Sequence, residues 1–242
     1  NQAANLLRSH GLQKGDVVMT ALRTHWSYWI VALAAHKLGL LLAPVYYRLT
    51  AEDFRYRMEK AKVRCVVTCR EGPAAENIWA AAEQAQVPLR FALGPGEDGF
   101  LDLLAALPQQ PGTLDRVPTL ATDPLLLYFT SGTTGLPKGV LHDHAFPLAN
   151  YWGARYMQDV HKGSRHFATG DTGWGRALTL TRSGGSSVPW PCMWPFPMWI
   201  FSAMAVPSPA SRRARRCSAA PMWTPSMCFG SRCRTGRPAR VS

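Results

Sequence analysis

The sequence predicts an α/β fold of parallel βαβ units, and three observations carry that expectation. Short apolar runs alternate with segments of helical period along residues 2–130, the pattern that places helices as crossovers between parallel strands. The runs at 40–45 and 63–69 are almost continuously apolar, as strands covered on both faces are. Glycines at 11, 15 and 39 fall where one pattern gives way to the next, and glycine is the common residue at such ends. No internal repeat exists beyond the alternation itself.

Taken in order, Gln2–Ser9 reads as the end of a helix, closed by Gly11, and Asp16–Ala21 as a short strand after Lys14-Gly15. Trp26, Trp29, Ile30, Leu33 and Leu38 recur at helical spacing, so Trp26–Leu38 is a helix that stops at Gly39. Trp26, Tyr28 and Trp29 read as helix core, not as a cofactor box. Leu40–Val45 is a buried strand. Thr50 can cap a helix over Ala51–Ala61, with Asp53 three residues on as a partial capping box. Val63–Cys69 is a strand, Ala74–Ala85 an alanine-rich helix and Pro88–Leu93 a strand. Phe100–Leu107 reads as a short helix before a Pro/Gly/Gln linker at 108–113. Leu125–Thr130 is the next strand, with Lys138–His142 its continuation or neighbour. Phe146–Met157 is a helix, with Pro147 and Gly153 counting against it.

The chain has 242 residues and is 47% hydrophobic, enough for one sizeable core and part of another. It begins at Asn1, with no basic stretch followed by an apolar run and a cleavage site. The expectation is a cytoplasmic protein whose first residues lie upstream of Asn1. The net charge of +12 invites a nucleic-acid reading. The charge is uneven, however. Residues 1–176 hold 18 Lys and Arg against 15 Asp and Glu, whereas residues 177–242 hold nine Arg and no Lys, Asp or Glu. Cysteines divide likewise: Cys65 and Cys69 in the body, and Cys192, Cys217, Cys228 and Cys233 in the tail. No C-x-x-C pair occurs, and Cys228-x4-Cys233 without a nearby His is a poor zinc pattern. Buried or incidental thiols are the reading, with no metal-ligand set.

The chemistry is concentrated at residues 130–139, Thr-Ser-Gly-Thr-Thr-Gly-Leu-Pro-Lys-Gly. Glycines allow backbone N–H groups to turn toward an anion. Hydroxyls donate to phosphate oxygens, and Lys138 adds a positive charge. A Ser/Thr/Gly-rich hairpin turn would have the same composition. The string is not a Walker loop, which needs Lys directly after the last Gly and then Ser or Thr. Here Leu136 and Pro137 intervene and Gly139 comes next after Lys138.

The full string at 128–140, Tyr-Phe-Thr-Ser-Gly-Thr-Thr-Gly-Leu-Pro-Lys-Gly-Val, resembles the phosphate-binding loop of the adenylate-forming superfamily, which includes acyl-CoA synthetases, luciferases and adenylation domains. Upstream, Leu12–Val18 (LQKGDVV) is similar to that family's L-x-x-G-D-x-V segment. His36–Gly39, Pro44 and Leu49–Arg57 resemble the family's next segments. Downstream, Gly170-Asp171-Thr172-Gly173-Trp174 looks like the D-x-G-W motif of acyl-CoA synthetases, and favours their short- to medium-chain branch over luciferases.

The resemblance spans residues 1–178 and implies part of the large N-terminal domain of an adenylate-forming enzyme. It implies that Thr130, Ser131, Gly132, Thr133, Thr134, Gly135 and Lys138 hold ATP phosphates, with Lys138 and Thr133 acting in catalysis. Asp171, Trp174 and His144 are implied substrate contacts. For His142-Asp143-His144, metal ligation and one pocket-lining plus one exposed histidine are the two readings. The implied cofactors are ATP, Mg²⁺ bridging phosphate oxygens, and coenzyme A, and the implied partner is a small carboxylic acid. Neither nucleic acid nor a membrane span is expected. The family's Tyr-Gly-x-Thr-Glu motif, ribose-binding Asp and C-terminal catalytic Lys are not found here. This chain is therefore expected to be an incomplete and inactive piece. The alternative is a non-catalytic fragment whose basic, disordered tail binds nucleic acid or a membrane surface.

The tail from about Thr179 departs from any family pattern. Residues 177–242 contain no Lys, Asp, Glu, His, Asn, Gln or Tyr, but nine Pro, nine Arg, four Trp and four Cys. Soluble surfaces are not built that way, and the apolar part has neither helix nor strand period. Val188–Pro207 is uncharged, yet Pro189, Pro191, Pro195 and Pro197 exclude a spanning helix. A shifted reading frame in a GC-rich gene or an Arg-rich disordered tail are the two explanations, and neither carries site residues.

Overall fold

Among the described residues, strands that are mostly buried on both faces form a seven-stranded sheet with helices packed on either side. The computed structural model describes residues 1–157, apart from Thr24, Glu71, Gly72, 96–98, Arg116 and 132–134, together with Asp159 and Gly173. The strands are β1 (Val17–Ala21), β2 (Leu41–Pro44), β3 (Val63–Cys69), β4 (Leu89–Leu93), β5 (Leu101–Asp102), β6 (Pro124–Thr130) and β7 (Lys138–Asp143). Their order is β5-β4-β3-β1-β2-β6-β7. Every neighbouring pair is parallel except β6 and β7, which are antiparallel.

One face carries α1 (Gln2–Ser9) and α2 (Ser27–Leu38), packed with Val18, Leu42, Cys65, Val67, Phe91 and Tyr128. The other carries α3 (Ala51–Ala61) and α4 (Pro73–Gln84), packed with Met19, Ala43, Val66 and Ala92. Adjacent strand residues thus point into opposite cores. Each fully buried Leu, Ile or Phe contributes about 1.5–3 kcal/mol, so Phe54 and Ile78, both at 0% exposure, anchor α3 and α4.

Local chemistry explains the helix ends. Gly39 closes α2 in the left-handed region at φ 67°. A Cβ there would also meet the Lys14 side chain at 2.9 Å. Thr50 caps α3 as expected: its hydroxyl accepts the Asp53 amide at 3.2 Å and donates to the Asp53 carboxylate at 2.9 Å. Cys65 is a free, buried thiol, its acidity suppressed by burial.

Several expectations change. Trp26 precedes α2 and is 36% exposed, while Tyr28 is fully buried. Phe100–Leu107 is not one helix. Leu101–Asp102 adds an edge strand to β4, and Asp102 then caps α5 (Leu103–Ala106) by accepting the Ala105 amide at 3.0 Å. The stretch at 108–113 is stapled to α1 rather than acting as a free linker. The Asn5 side-chain amide donates to the Pro111 and Thr113 carbonyls, each at 2.7 Å, and Asn1 to that of Gly112 at 2.7 Å. The Phe146–Met157 helix divides at Gly153, with α6 (Phe146–Trp152) followed by a π-helical turn, Gly153–Met157.

Candidate phosphate site

The Thr130–Lys138 stretch joins β6 to β7 as a hairpin. Register pairs Tyr128 with Val140, Phe129 with Gly139 and Thr130 with Lys138. The Thr130 hydroxyl donates to the Lys138 carbonyl at 3.4 Å across the base of the loop. Thr130, Ser131 and Gly135 are exposed and Lys138 is at the surface beside them. Gly135 has φ 93°, where a side chain would be strained. At Gly139 an added Cβ would crowd Leu127 Cδ1 at 3.1 Å. Lys138 makes no ion pair among the described residues. Gly132, Thr133 and Thr134 lie outside the described residues.

Because β6 runs parallel to β1, β2 and β3, this loop leaves the carboxyl edge of the sheet, where ligands of open α/β folds bind. Other cations share that edge. Arg23 comes after β1 and Arg48 after β2, and both guanidiniums face the Tyr47 ring, at 5.8 and 5.2 Å. The Arg48 Nε donates to the Tyr47 hydroxyl at 2.7 Å. These three residues carry no motif, and their types and spacing hold no signal that could have found them.

Gly173, from the second motif, lies at the same edge. Leu42 pairs with Leu126, and continuing that register sets Val45 and Tyr46 level with Phe129 and Thr130. Gly173 lies against the Val45–Tyr46 backbone, and a Cβ on it would overlap the Val45 carbonyl and the Tyr46 nitrogen. Asp171 and Trp174 lie outside the described residues. Gly173→Ala is expected to cost about 1–3 kcal/mol through overpacking, read as a lower urea midpoint. An unchanged midpoint would mean that the close approach is absent in solution.

His144 is placed elsewhere. β7 carries it away from the loop by about 3.4 Å per residue, or ~20 Å in all. It sits at the amino edge of the parallel strands, where its amide donates to the Asp123 carbonyl at 3.1 Å. There its ring meets His36, with centroids 6.2 Å apart, beside the Lys14–Asp123 ion pair at 2.6 Å. The structure therefore does not bring His144 together with the loop residues. Its partner in the motif, His142, packs against Phe146 and Tyr128, with centroids at 4.0 and 6.1 Å. Both histidines are half-buried, so neither is the exposed one expected from the sequence. Among the described residues no three His, Cys, Asp or Glu side chains converge on a metal position.

Comparison with known proteins decides the family. Residues 1–191 match the family model of the AMP-binding enzymes. The chain belongs to the AMP-binding enzyme family. It is 32% identical over 180 residues to the mitochondrial acyl-coenzyme A synthetase ACSM4 of Rattus norvegicus, covering 73% of this chain and 31% of that protein. It is 30% identical over 193 residues to acetyl-coenzyme A synthetase 2 of Candida albicans, covering 72% of this chain and 28% of that one. A crystal structure of Brucella canis acyl-CoA synthetase superposes with TM-score 0.64 at 22% identity, over 74% of this chain and 32% of that one. The α/β fold of the AMP-binding enzymes is thereby shown. The chain spans about a third of the length of the relatives it matches. No helix among the described residues is long and apolar enough to cross a membrane.

Proposed function

We propose that this chain supplies the ATP-phosphate loop of an acyl-CoA synthetase, an enzyme that activates a small or medium-size carboxylic acid. The carboxylate oxygen bonds to the α-phosphorus of ATP as the bond to the β-phosphate oxygen breaks, giving acyl-adenylate and pyrophosphate. The coenzyme A thiol then loses its proton and bonds to the acyl carbon as AMP leaves. One observation carries the reading. A surface hairpin at the carboxyl edge of the sheet presents Thr130, Ser131 and Lys138 together, with no ion pair on Lys138 among the described residues. Thr133 and Thr134 belong to the same string, whose family resemblance supports a like role. Donors placed in advance stabilise charge on the leaving pyrophosphate without reorganising, and holding that group in line contributes by positioning. Mg²⁺ is usually held by one or two carboxylates together with the substrate's own phosphates, and among the described residues no three His, Cys, Asp or Glu side chains converge on such a position.

This chain alone is expected to bind pyrophosphate or ATP without completing acyl transfer. In an enzyme comprising these residues, Lys138→Ala should slow ATP–pyrophosphate exchange about tenfold or more, since a hydrogen bond to a charged group contributes about 1.5–3 kcal/mol. Thr133→Ala should act in the same direction. Unchanged exchange in both variants would sink the assignment of this loop.

A further inference from the structure

Helix α3 turns one side toward the hairpin, and that side is built from Asp53, Tyr56 and Arg57, at the i, i+3, i+4 spacing of helical neighbours. The Tyr56 hydroxyl donates to the Pro137 carbonyl at 3.3 Å. The Arg57 guanidinium lies over the Phe129 ring at 5.7 Å, held from below by the Asp53 carboxylate at 3.0 Å. Phe129 is the residue before Thr130, and Pro137 the residue before Lys138. One helix therefore grips both legs of the hairpin at the base of the loop.

Proline has no N–H, so the Pro137 carbonyl is the one hydrogen-bonding group of that residue, and the peptide plane it fixes leads into Lys138. The helix itself is well anchored. Thr50 caps it, and Phe54 and Met58 are buried at 0% and 1% exposure. We propose that Tyr56 is a positioning residue for Lys138, acting through the Pro137 carbonyl. This rests on the reading of the 130–138 loop as a phosphate site.

The test uses the whole chain, with Tyr56→Phe removing one hydroxyl and keeping the ring. Arg55→Ala serves as control, because Arg55 pairs with Glu59 along the same helix at 2.9 Å and has no bond to the hairpin among the described residues. Two quantities are read. The first is amide hydrogen exchange at Leu136, Lys138 and Gly139 without nucleotide. The second is pyrophosphate affinity by titration calorimetry. Tyr56→Phe should speed exchange at those amides and weaken pyrophosphate about fivefold, the effect of one lost hydrogen bond. The control should do neither, and the thermal midpoint should hold in both.

Exchange that does not change would overturn the proposal, as would faster exchange with unaltered pyrophosphate affinity. A Phe variant that unfolds would make Tyr56 merely structural and would overturn it too. Should wild type and Lys138→Ala bind pyrophosphate equally, the phosphate reading itself fails. The hold of Tyr56 on the hairpin would then still be decided by the exchange data.

Discussion

Acidifying the protein from pH 7 to pH 4 should destabilise the fold by at most about 3 kcal/mol through His36, the equivalent of two pKa units or slightly more. His36 sits in the last turn of α2 with its Nε2 buried and without a hydrogen-bond partner among the described residues. Burial, and then the neighbouring His144, push its pKa down to about 4. Burial also lowers His144, against the pull of Asp123. The sign comes from the depressed value. Above the ordinary histidine pKa of 6.5 both folded and unfolded chains keep the ring neutral, so its stability contribution is fully present. As pH falls toward 4 the unfolded chain takes up a proton that the folded one refuses, and stability drops. The window is clean with respect to Asp53 and Asp123. Arg57 beside the first and Lys14 beside the second hold these carboxyls below the usual range, so the stability they contribute is lost mainly below the histidine window. Urea unfolding at about pH 7 and pH 4.5 measures the drop. His36→Leu should remove most of it, and an equal drop in the variant would assign the effect elsewhere.

The sheet's body was legible because burial on two faces writes itself into short stretches. β1 to β4 are apolar runs, bounded by Gly15, Gly39, Lys62 and Pro88, and local pattern suffices for such elements. The edge was not legible. Leu101–Asp102 is a strand by virtue of backbone pairing with Phe91 and Ala92, and two residues carry no period. The apolar run behind them, Leu103-Leu104-Ala105-Ala106, reads naturally as one longer helix. Strand direction was equally hidden. Lys138–His142 could continue β6 or turn back, and the turn back is what sends His144 to the opposite edge of the sheet.

For the site, the 130–138 string is local and was visible, whereas its supports are not. Tyr56 meets Pro137 across 81 positions, and nothing in either residue announces the other. Gly173 is legible in the sequence only as part of a motif. Its lack of a side chain gains a physical reason only once Val45 and Tyr46 lie against it.

The largest change is expected beyond the family match. The match ends at residue 191, twelve residues past Thr179, although the chain runs on to Ser242, and the composition shifts from residue 177 onward. Translating the coding DNA in all three frames should restore a synthetase-like continuation in another frame, with the change falling between about Thr179 and the end of the match at residue 191. The genetic code supplies the argument. Met-Trp occurs at 193–194, 198–199 and 222–223, and its codons can only be ATG TGG. Read from the last base of ATG, each gives GTG, then a codon that opens with G and takes two bases from the next residue. Pro195, Ile200 and Thr224 fix those codons, so the pairs become Val-Ala, Val-Asp and Val-Asp. Aspartate returns to a stretch that has none, and valine appears where tryptophan stood, a residue far better suited to strands in a covered sheet. An Arg-rich disordered tail would keep its nine arginines in the true frame and bind nucleic acid with steep salt dependence. If no other frame continues the family pattern past Leu178, and a gel shift with this chain weakens sharply between about 50 and 200 mM salt, the tail is genuine and the frame argument is wrong.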